Sequence, residues 1–207
     1  MNNKISFLDI KALVFDLDGT IVDLKVNWNK LKNLLKRRYS NLYKESCRFN
    51  SISQCLSIIV EKGDEKILNN FFDIIRDYEL RSIDQNSYIE ETVYFLKNLN
   101  QFDLDNNIKL GILSLNTRAA ILNSLEMINL KDKFDIIIGR EDVRHWKPDP
   151  EGLLKIKQAL KIKKEEMVYF GDMKKDLLTG KNAGIDAYFI TDLIEYVKFY
   201  NNKMKLD

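Results

Sequence analysis

Residues 12–20 have the sequence Ala-Leu-Val-Phe-Asp-Leu-Asp-Gly-Thr, in which an apolar run stops abruptly at two carboxylates and a glycine. The four apolar residues are too few for a helix, and they predict a short strand that is buried on both faces. The polar residues that follow predict a turn. A fully buried strand that ends in acidic side chains is typical of a parallel sheet with a functional edge.

From residue 85 onward, apolar strands alternate with amphipathic helices. The predicted strands cover residues 108–113, 134–138, 167–170 and 187–190, and the predicted helices cover 87–99, 117–128, 149–160, 172–183 and the segment from 192 onward. Ser87 and Glu90 predict a capping box for the first of these helices. Asp149 and Pro150 predict an N-cap followed by proline at N1. The alternation predicts an α/β fold, a doubly wound parallel sheet with a Rossmann-like core.

The segment between these parts has a different pattern, with no convincing strand from residue 22 to about residue 84. Apolar residues recur at helical spacing over 28–42 and 67–78, and Gly63-Asp64 predicts a helix end followed by an N-cap. We therefore expect residues 21–84 to form a small all-helical cap domain inserted after the first strand. Residues 1–20 and 85–207 would form the catalytic core.

The overall charge favours neither nucleic acid nor membrane as a partner. The chain has 33 basic and 31 acidic side chains in 207 residues, a formal net charge of +2. Such a balance provides no electrostatic reason to bind polyanions. The apolar run Ala12–Phe15 is far too short to span a bilayer, and no signal-peptide cleavage site follows it. We expect a cytoplasmic protein, and its oligomeric state is left open.

The residue inventory also narrows the chemistry. His145 is the only histidine, so a Ser-His-Asp triad, a Cys-His pair or a multi-histidine metal site would all depend on that residue. The two cysteines, Cys47 and Cys55, have the spacing of neither a CxxC redox pair nor a zinc site. Carboxylates, hydroxyls and lysines must therefore carry the chemistry.

Polar side chains of these types follow the predicted strands. They are Asp16 and Asp18 after the first strand, Ser114 and Asn116 after the second, Lys147 in the loop after the third, and Asp172 and Asp176 after the fourth. Because ligands of such sheets bind outside the carboxyl ends of the strands, we expect these groups to converge at one edge.

A cluster of carboxylates implies a cation and a phosphorylated substrate. Packed carboxylates repel one another unless a cation neutralises them, and a ligand set made only of oxygen suits Mg²⁺. Asp16, Asp18, Asp172 and Asp176 are the candidate metal ligands. A carboxylate can also attack phosphorus and form an aspartyl-phosphate. Lys147 and the Ser114 hydroxyl would then bind the phosphoryl oxygens.

The order of these motifs resembles that of the haloacid dehalogenase superfamily, in its phosphoglycolate phosphatase-like branch. The matching motifs are Asp-Leu-Asp-Gly-Thr at 16–20, Ser114, Lys147 before Pro-Asp-Pro, and Gly-Asp-Met-Lys-Lys-Asp at 171–176. The resemblance covers nearly the whole chain, including the helical cap. It implies a Mg²⁺-dependent phosphatase that hydrolyses a small phosphorylated metabolite through an aspartyl-phosphate.

The resemblance also implies individual roles. Asp16 matches the nucleophile, which is also a metal ligand, and Asp18 matches the general acid/base, whose backbone carbonyl binds the metal. Asp172 matches the third protein ligand. Asp176 would support this metal shell and orient Lys147.

The substrate side of the site is matched less closely. Thr20 would brace the first loop, and together with Gly19 it is assigned to the substrate-binding part of the site. Leu115 departs from the small polar residue that many relatives have after the strand-end hydroxyl. Asn116 would take over a substrate contact in its place.

Several alternatives remain open. A phosphotransferase of the same fold, such as a sugar phosphate mutase, would pass the phosphoryl group to a second hydroxyl. A phosphoacceptor signalling domain would keep the phosphoryl group, and a dehalogenase would not need the acidic cluster. The basic stretch Lys30–Arg38 is interpreted as a solvated helix face, or else as a surface that partly faces the site and attracts acidic substrates.

Overall fold

A computed structural model describes residues 5–46, 50–102, 104 and 107–203, so Cys47 lies outside the described residues. Its strands are β1 (Ala12–Phe15), β2 (Val22–Asp23), β3 (Ser87–Tyr88), β4 (Lys109–Leu113), β5 (Ile136–Ile138), β6 (Met167–Gly171) and β7 (Asp186–Phe189). Its α-helices are α1 (Trp28–Tyr43), α2 (Ile52–Glu61), α3 (Glu65–Leu80), α4 (Glu90–Lys97), α5 (Arg118–Met127), α6 (Glu151–Leu160), α7 (Lys174–Ala183) and α8 (Ile190–Lys203).

Five strands form one parallel sheet in the order β5-β4-β1-β6-β7. The strand β1 lies in the centre, paired with β4 on one side and β6 on the other. The sheet is therefore the predicted doubly wound type, in which the carboxyl ends of all five strands meet at one edge. The residues that follow β1, β4 and β6 are neighbours because those three strands are neighbours.

The side chains of β1 alternate between two hydrophobic cores. Leu13 and Phe15 pack with α4, α5 and α8 on one face. Ala12 and Val14 belong to a second cluster with α6 and α7 on the other face. All four side chains are fully buried. Burial on both faces explains why β1 is continuously apolar rather than alternating.

The helices α1, α2 and α3 follow β2 and precede β3, which places them in the segment that the sequence predicts to be helical. Asp64 caps α3 as expected, since its side chain accepts a hydrogen bond from the Ile67 amide at 3.2 Å. Phe72 of α3 packs against Trp146, with ring centroids 6.4 Å apart. The inserted helices thus pack against loops at the carboxyl edge of the sheet. The domain boundaries at 20–21 and 84–85 stay a prediction.

Two details of the sequence interpretation are wrong at the entry to this segment. Val22 and Asp23 form a short strand that pairs antiparallel with Ser87 and Tyr88, although no strand was expected from residue 22 to 84. Ser87 therefore lies in β3 and does not cap α4, which begins at Glu90 after Ile89. A strand of two residues is too short to show a periodic pattern in the sequence. The pairing of Ser87 with distant Asp23 replaces the helix cap that the local sequence predicts for Ser87.

The other helix ends agree with the sequence more closely. Gly184 ends α7 in the left-handed conformation, with φ of 69°. Pro150 is the N-cap of α6 rather than its first residue, and the Asp149 side chain accepts from the Glu151 amide at 2.9 Å. Among the described residues, no helix is both long and apolar enough to cross a membrane.

Candidate active site

A pocket of about 410 Å³ opens at the carboxyl edge of the sheet. On the sheet side its lining includes Asp16, Asp18, Ser114, Asn116, Lys147 and Asp172. On the opposite side it includes Trp28 and Lys32 of α1 and the residues that begin α2. The structure therefore brings together six of the sequence-predicted site residues, facing the inserted helices across the pocket.

Lys147 is the central contact of the site. Its Nζ lies 2.8 Å from Oδ2 of Asp16 and 2.6 Å from Oδ1 of Asp176, and it donates to the Tyr169 hydroxyl at 2.9 Å. Burial alone would lower the pKa of Lys147, but the two carboxylates outweigh it and raise the pKa above its usual value. The side chain is a buried ammonium that ties the strand-end carboxylate of β1 to the first turn of α7.

Asp176 is fully buried and does not line the pocket. Its Oδ1 accepts from Lys147 and from the Tyr169 hydroxyl at 3.0 Å, and its Oδ2 accepts from the Met173 amide at 2.9 Å. Burial and the charges of Asp16 and Asp176 raise the pKa of Tyr169 well above its ordinary value, so its hydroxyl remains a donor. This geometry is consistent with the expectation that Asp176 orients Lys147.

Asp18 and Asp172 are the two pocket-lining carboxyl groups whose pKa values are raised. Burial is the main cause that raises the pKa of Asp18 to about 6, and the negative charges of Asp16 and Asp172 raise it further. A hydrogen bond from the Leu24 amide at 2.9 Å acts in the opposite direction and lowers it. Burial and the charges of Asp16 and Asp176 raise the pKa of Asp172 to about 6. Proximity of like charges disfavours ionisation, so this part of the site is suited to a cation or a proton.

Gly19 allows the first loop to approach Asp172 closely. Its φ of +74° lies in the left-handed region, and a Cβ added there would meet Oδ2 of Asp172 at 2.5 Å. Any other residue would therefore be strained and would also displace that carboxylate. The close approach of Asp172, which belongs to the motif at 171–176, thus explains why a glycine follows Asp18.

The donor set fits a hard divalent cation. One carboxylate oxygen from each of Asp16, Asp172 and Asp176 can be chosen so that all lie within 4.8 Å of one another. All three donors are oxygen, as Mg²⁺ prefers. Asp16 and Asp172 line the pocket whereas Asp176 does not, which makes the first two the better placed of the three. The metal roles of Asp16, Asp18, Asp172 and Asp176 remain predictions.

Ser114 and Asn116 form one hydrogen-bonded unit after β4. The Ser114 hydroxyl donates to Oδ1 of Asn116 at 2.8 Å, and the Asn116 amide donates to the Ser114 hydroxyl at 3.3 Å. Leu115 also lines the pocket. Thr20 is fully buried outside the pocket lining, and its hydroxyl has no partner among the described residues. The substrate-binding roles of Asn116, Thr20 and Gly19 stay predictions.

Sequence reasoning missed two buried charged residues, Glu79 and Arg140. Glu79 of α3 accepts from Asn116 Nδ2 at 3.0 Å and from both the amide and the hydroxyl of Thr117, at 2.9 and 2.5 Å. Arg140 lines the pocket in the loop after β5. Arg140 could have been found by its position after a predicted strand, but nothing local distinguishes Glu79 from other helical acids.

The family follows from this geometry and from the sequence. The model of the haloacid dehalogenase-like hydrolases matches residues 13–190, most of the chain. The protein therefore belongs to the haloacid dehalogenase-like hydrolases. The parallel sheet with carboxylates at the ends of β1 and β6 agrees with that assignment.

Individual relatives extend the comparison. The chain is 27% identical to pyrophosphatase PpaX of Bacillus thuringiensis over 208 residues, covering 97% of this chain and 93% of that protein. It is 28% identical to a haloacid dehalogenase-like hydrolase of Bacteroides fragilis of known structure, with a TM-score of 0.59 and 86% of each chain covered. CbbY of Rhodobacter sphaeroides, solved with phosphate, has a TM-score of 0.62 at 13% identity, covers 87% of this chain and 85% of that chain, and shows the fold alone.

Proposed function

We propose that the protein is a Mg²⁺-dependent phosphatase that hydrolyses a small phosphate ester or anhydride through an aspartyl-phosphate on Asp16. The observation that carries the proposal is how Asp16 is held. Its Oδ2 contacts Lys147 at 2.8 Å and its Oδ1 accepts from the Leu17 amide at 2.7 Å, at the wall of the pocket. A carboxylate fixed in this way faces incoming phosphorus without rotating, which favours attack.

The reaction balances in two steps. In the first, an Asp16 carboxylate oxygen forms a bond to phosphorus while the bond from phosphorus to the leaving oxygen breaks, and Asp18 gives that oxygen a proton. In the second, Asp18 takes a proton from water, the water oxygen attacks phosphorus, and the bond to Asp16 breaks. Inorganic phosphate leaves and both carboxyl groups return to their starting states.

The metal would be held by carboxylate oxygens of Asp16 and Asp172 and by the backbone carbonyl of Asp18, with Asp176 behind them. Bound Mg²⁺ would neutralise phosphoryl charge and hold the phosphoryl group in line for attack. Lys147 would bind a phosphoryl oxygen in exchange for its contact with the Tyr169 hydroxyl, since its three N–H donors already contact Asp16, Asp176 and Tyr169. The Ser114 hydroxyl would turn from Asn116 Oδ1 and donate to the same group.

The size of the pocket and the relatives favour a compact substrate. A volume of about 410 Å³ suits a small phosphorylated metabolite. Pyrophosphate is a candidate because a relative across nearly the whole chain is named a pyrophosphatase. The cytoplasm is the proposed location, and neither nucleic acid nor membrane is proposed as a partner. Transfer to a second hydroxyl, as in a sugar phosphate mutase, remains the alternative.

A phosphate-release assay tests the proposal. The purified protein is incubated with pyrophosphate, p-nitrophenyl phosphate and a panel of phosphorylated metabolites, with Mg²⁺ or with EDTA. Turnover should require Mg²⁺, and Asp16→Asn should lower it by at least about 1,000-fold because an amide is not a nucleophile. The exposed Asp132→Asn is the matched control and should keep the wild-type rate. Near-normal turnover by Asp16→Asn, or transfer to an added sugar instead of water, would contradict the proposal.

A further inference from the structure

Arg140 is a buried cation at the wall of the pocket that the proposed chemistry does not use. Only 3% of the residue is exposed. Its backbone is held rigidly, since its amide donates to the Asn116 carbonyl at 2.8 Å and its carbonyl accepts from Trp146 Nε1 at 2.9 Å. Its side-chain Nε and Nη1 have no hydrogen-bond partner among the described residues. A buried charged donor without an acceptor is costly, and it suggests an acceptor that binds later.

Glu79 supplies a countercharge to Arg140 but does not satisfy these two donors. Burial raises the pKa of Glu79 and lowers that of Arg140, and the attraction between the two charges opposes both shifts. The Glu79 oxygens accept from Asn116 and Thr117. The guanidinium therefore keeps a countercharge nearby, while its Nε and Nη1 stay buried without an acceptor among the described residues.

The pocket that Arg140 lines has two further positive features. The ten-residue helix α2 begins at its wall, where Ser51 is the N-cap and residues 50–53 line the cavity. A helix N-terminus carries a partial positive charge. Lys32 and Lys175 also line the pocket, and burial together with the nearby charges of Lys147 and Arg140 lowers the pKa of Lys175. The pocket thus has a set of cationic residues besides the carboxylates around Asp16.

We propose that Arg140, with the N-terminus of α2, forms a second anion subsite in the pocket. The substrate would then carry a second anionic group, a phosphoryl or a carboxylate, besides the phosphoryl group that reacts. The planar guanidinium matches either group because both present paired oxygens. This inference rests on the proposed function, since it describes the other end of the same substrate.

Binding of two unreactive ligands tests the subsite without turnover. Titration calorimetry in Mg²⁺ compares methylenediphosphonate, which has two anionic groups, with methylphosphonate, which has one. Arg140→Gln should weaken methylenediphosphonate binding about 10–100-fold, the loss expected for hydrogen bonds to charged groups, and methylphosphonate binding by less than about 3-fold. Arg140→Lys should bind methylenediphosphonate with intermediate affinity, because lysine keeps the positive charge but cannot form the two parallel hydrogen bonds of a guanidinium. Arg76→Gln, on the exposed surface of α3, is the matched control for net charge.

Three results would overturn the inference. Arg140→Gln could lose the same affinity for both ligands, or it could lose affinity for neither. The wild-type protein could also bind the two ligands equally well. If Arg140→Gln does not fold, the double variant Glu79→Gln/Arg140→Gln removes both buried charges and takes its place. The failure of the proposed function is separate. A protein that binds methylenediphosphonate through Arg140 but releases no phosphate has the subsite and not the activity.

Discussion

At the scale of single residues, the site depends on a lysine between two carboxylates. Lys147 contacts Asp16 and Asp176 directly, whereas Asp18 and Asp172 lie in a buried site and are repelled by the charge of Asp16. Burial first, and the charge of Asp16 second, raise the pKa values of Asp18 and Asp172 to about 6. A carboxyl group whose pKa lies near the working pH can donate and accept protons, which is the role proposed for Asp18.

Asp18→Asn should separate the two chemical steps. The turnover rate of the variant with alkyl phosphates should fall about 10²–10⁴-fold, because their leaving oxygen needs a proton. An aryl phosphate needs little protonation, so its first step should be nearly unaffected while the second lacks a base. We expect one burst of phenol and a phosphoenzyme that hydroxylamine traps. Equal losses on both substrates, with no burst and no trapped intermediate, would mean that Asp18 is not an acid/base.

Gly19→Ala should weaken metal binding, and the chain offers a matched control. Gly19 and Gly63 both have left-handed φ, of +74° and +69°, but a Cβ at Gly63 meets nothing within 4 Å. Both alanine variants should lose about 1–2 kcal/mol of folding stability from the backbone conformation. Only Gly19→Ala should also lose Mg²⁺ affinity, by about 10-fold, because it displaces Asp172. Titration calorimetry and urea denaturation measure the two effects, and equal Mg²⁺ affinity in both variants would contradict the prediction.

At the scale of secondary-structure elements, α3 is fastened to the loop after β4 by Glu79. Asn116 and Thr117 donate three hydrogen bonds to this one side chain. Asn116 also accepts a hydrogen bond from the Ser114 hydroxyl. Glu79 of α3 is therefore linked through Asn116 to the hydroxyl that is predicted to bind phosphate. The packing of α3 against α5 supports the same junction.

Glu79→Ala should therefore be strongly destabilising. It leaves three buried donors and the Arg140 charge without a partner, and breaking a buried charge pair costs about 3–5 kcal/mol. Urea denaturation of Glu79→Ala, Arg140→Gln and the double variant gives the coupling energy. The free energy of unfolding should fall less in the double variant than the sum of the decreases in the two single variants. Glu61→Ala, exposed at the end of α2, is the control, and a loss below about 1 kcal/mol for Glu79→Ala would contradict this account.

At the scale of the whole molecule, the carboxylate cluster couples stability to pH and metal. The pKa values of Asp18 and Asp172 rise from 3.8 to about 6 on folding. The folded state therefore binds these protons more tightly than the unfolded state does. Their contribution to stability is fully present below about pH 4 and is lost as the pH rises through about 6.

Mg²⁺ should consequently raise the melting temperature more at pH 7.5 than at pH 5. At pH 5 protons occupy these carboxyl groups and compete with the metal, whereas at pH 7.5 the repelling charges are available to bind it. Differential scanning calorimetry with and without Mg²⁺ at each pH isolates the effect. Asp172→Asn should lose most of the metal-induced shift. An equal shift at both pH values would contradict the prediction.

Much of this molecule could be predicted from local patterns. The strands of the main sheet, most helix positions and the convergence of Asp16, Ser114, Lys147 and Asp172 follow from apolar runs and from the rule that parallel strands end at one edge. The pairing of Val22–Asp23 with Ser87–Tyr88 and the role of Glu79 could not be predicted in this way. Their partners are far away in the sequence, and a short strand or a single helical glutamate has no periodicity to signal them.

The sequence by itself determined the α/β class and the family motifs, because these depend on residue type and on spacing along the chain, and the resemblance of those motifs predicts the candidate acid, nucleophile and metal ligands. Only the tertiary structure decided that Lys147 lies between Asp16 and Asp176, that Gly19 contacts Asp172, and that Arg140 is buried at the pocket wall with two donors unused. Those facts depend on the packing of distant elements, since burial and the distance between charges set their energies.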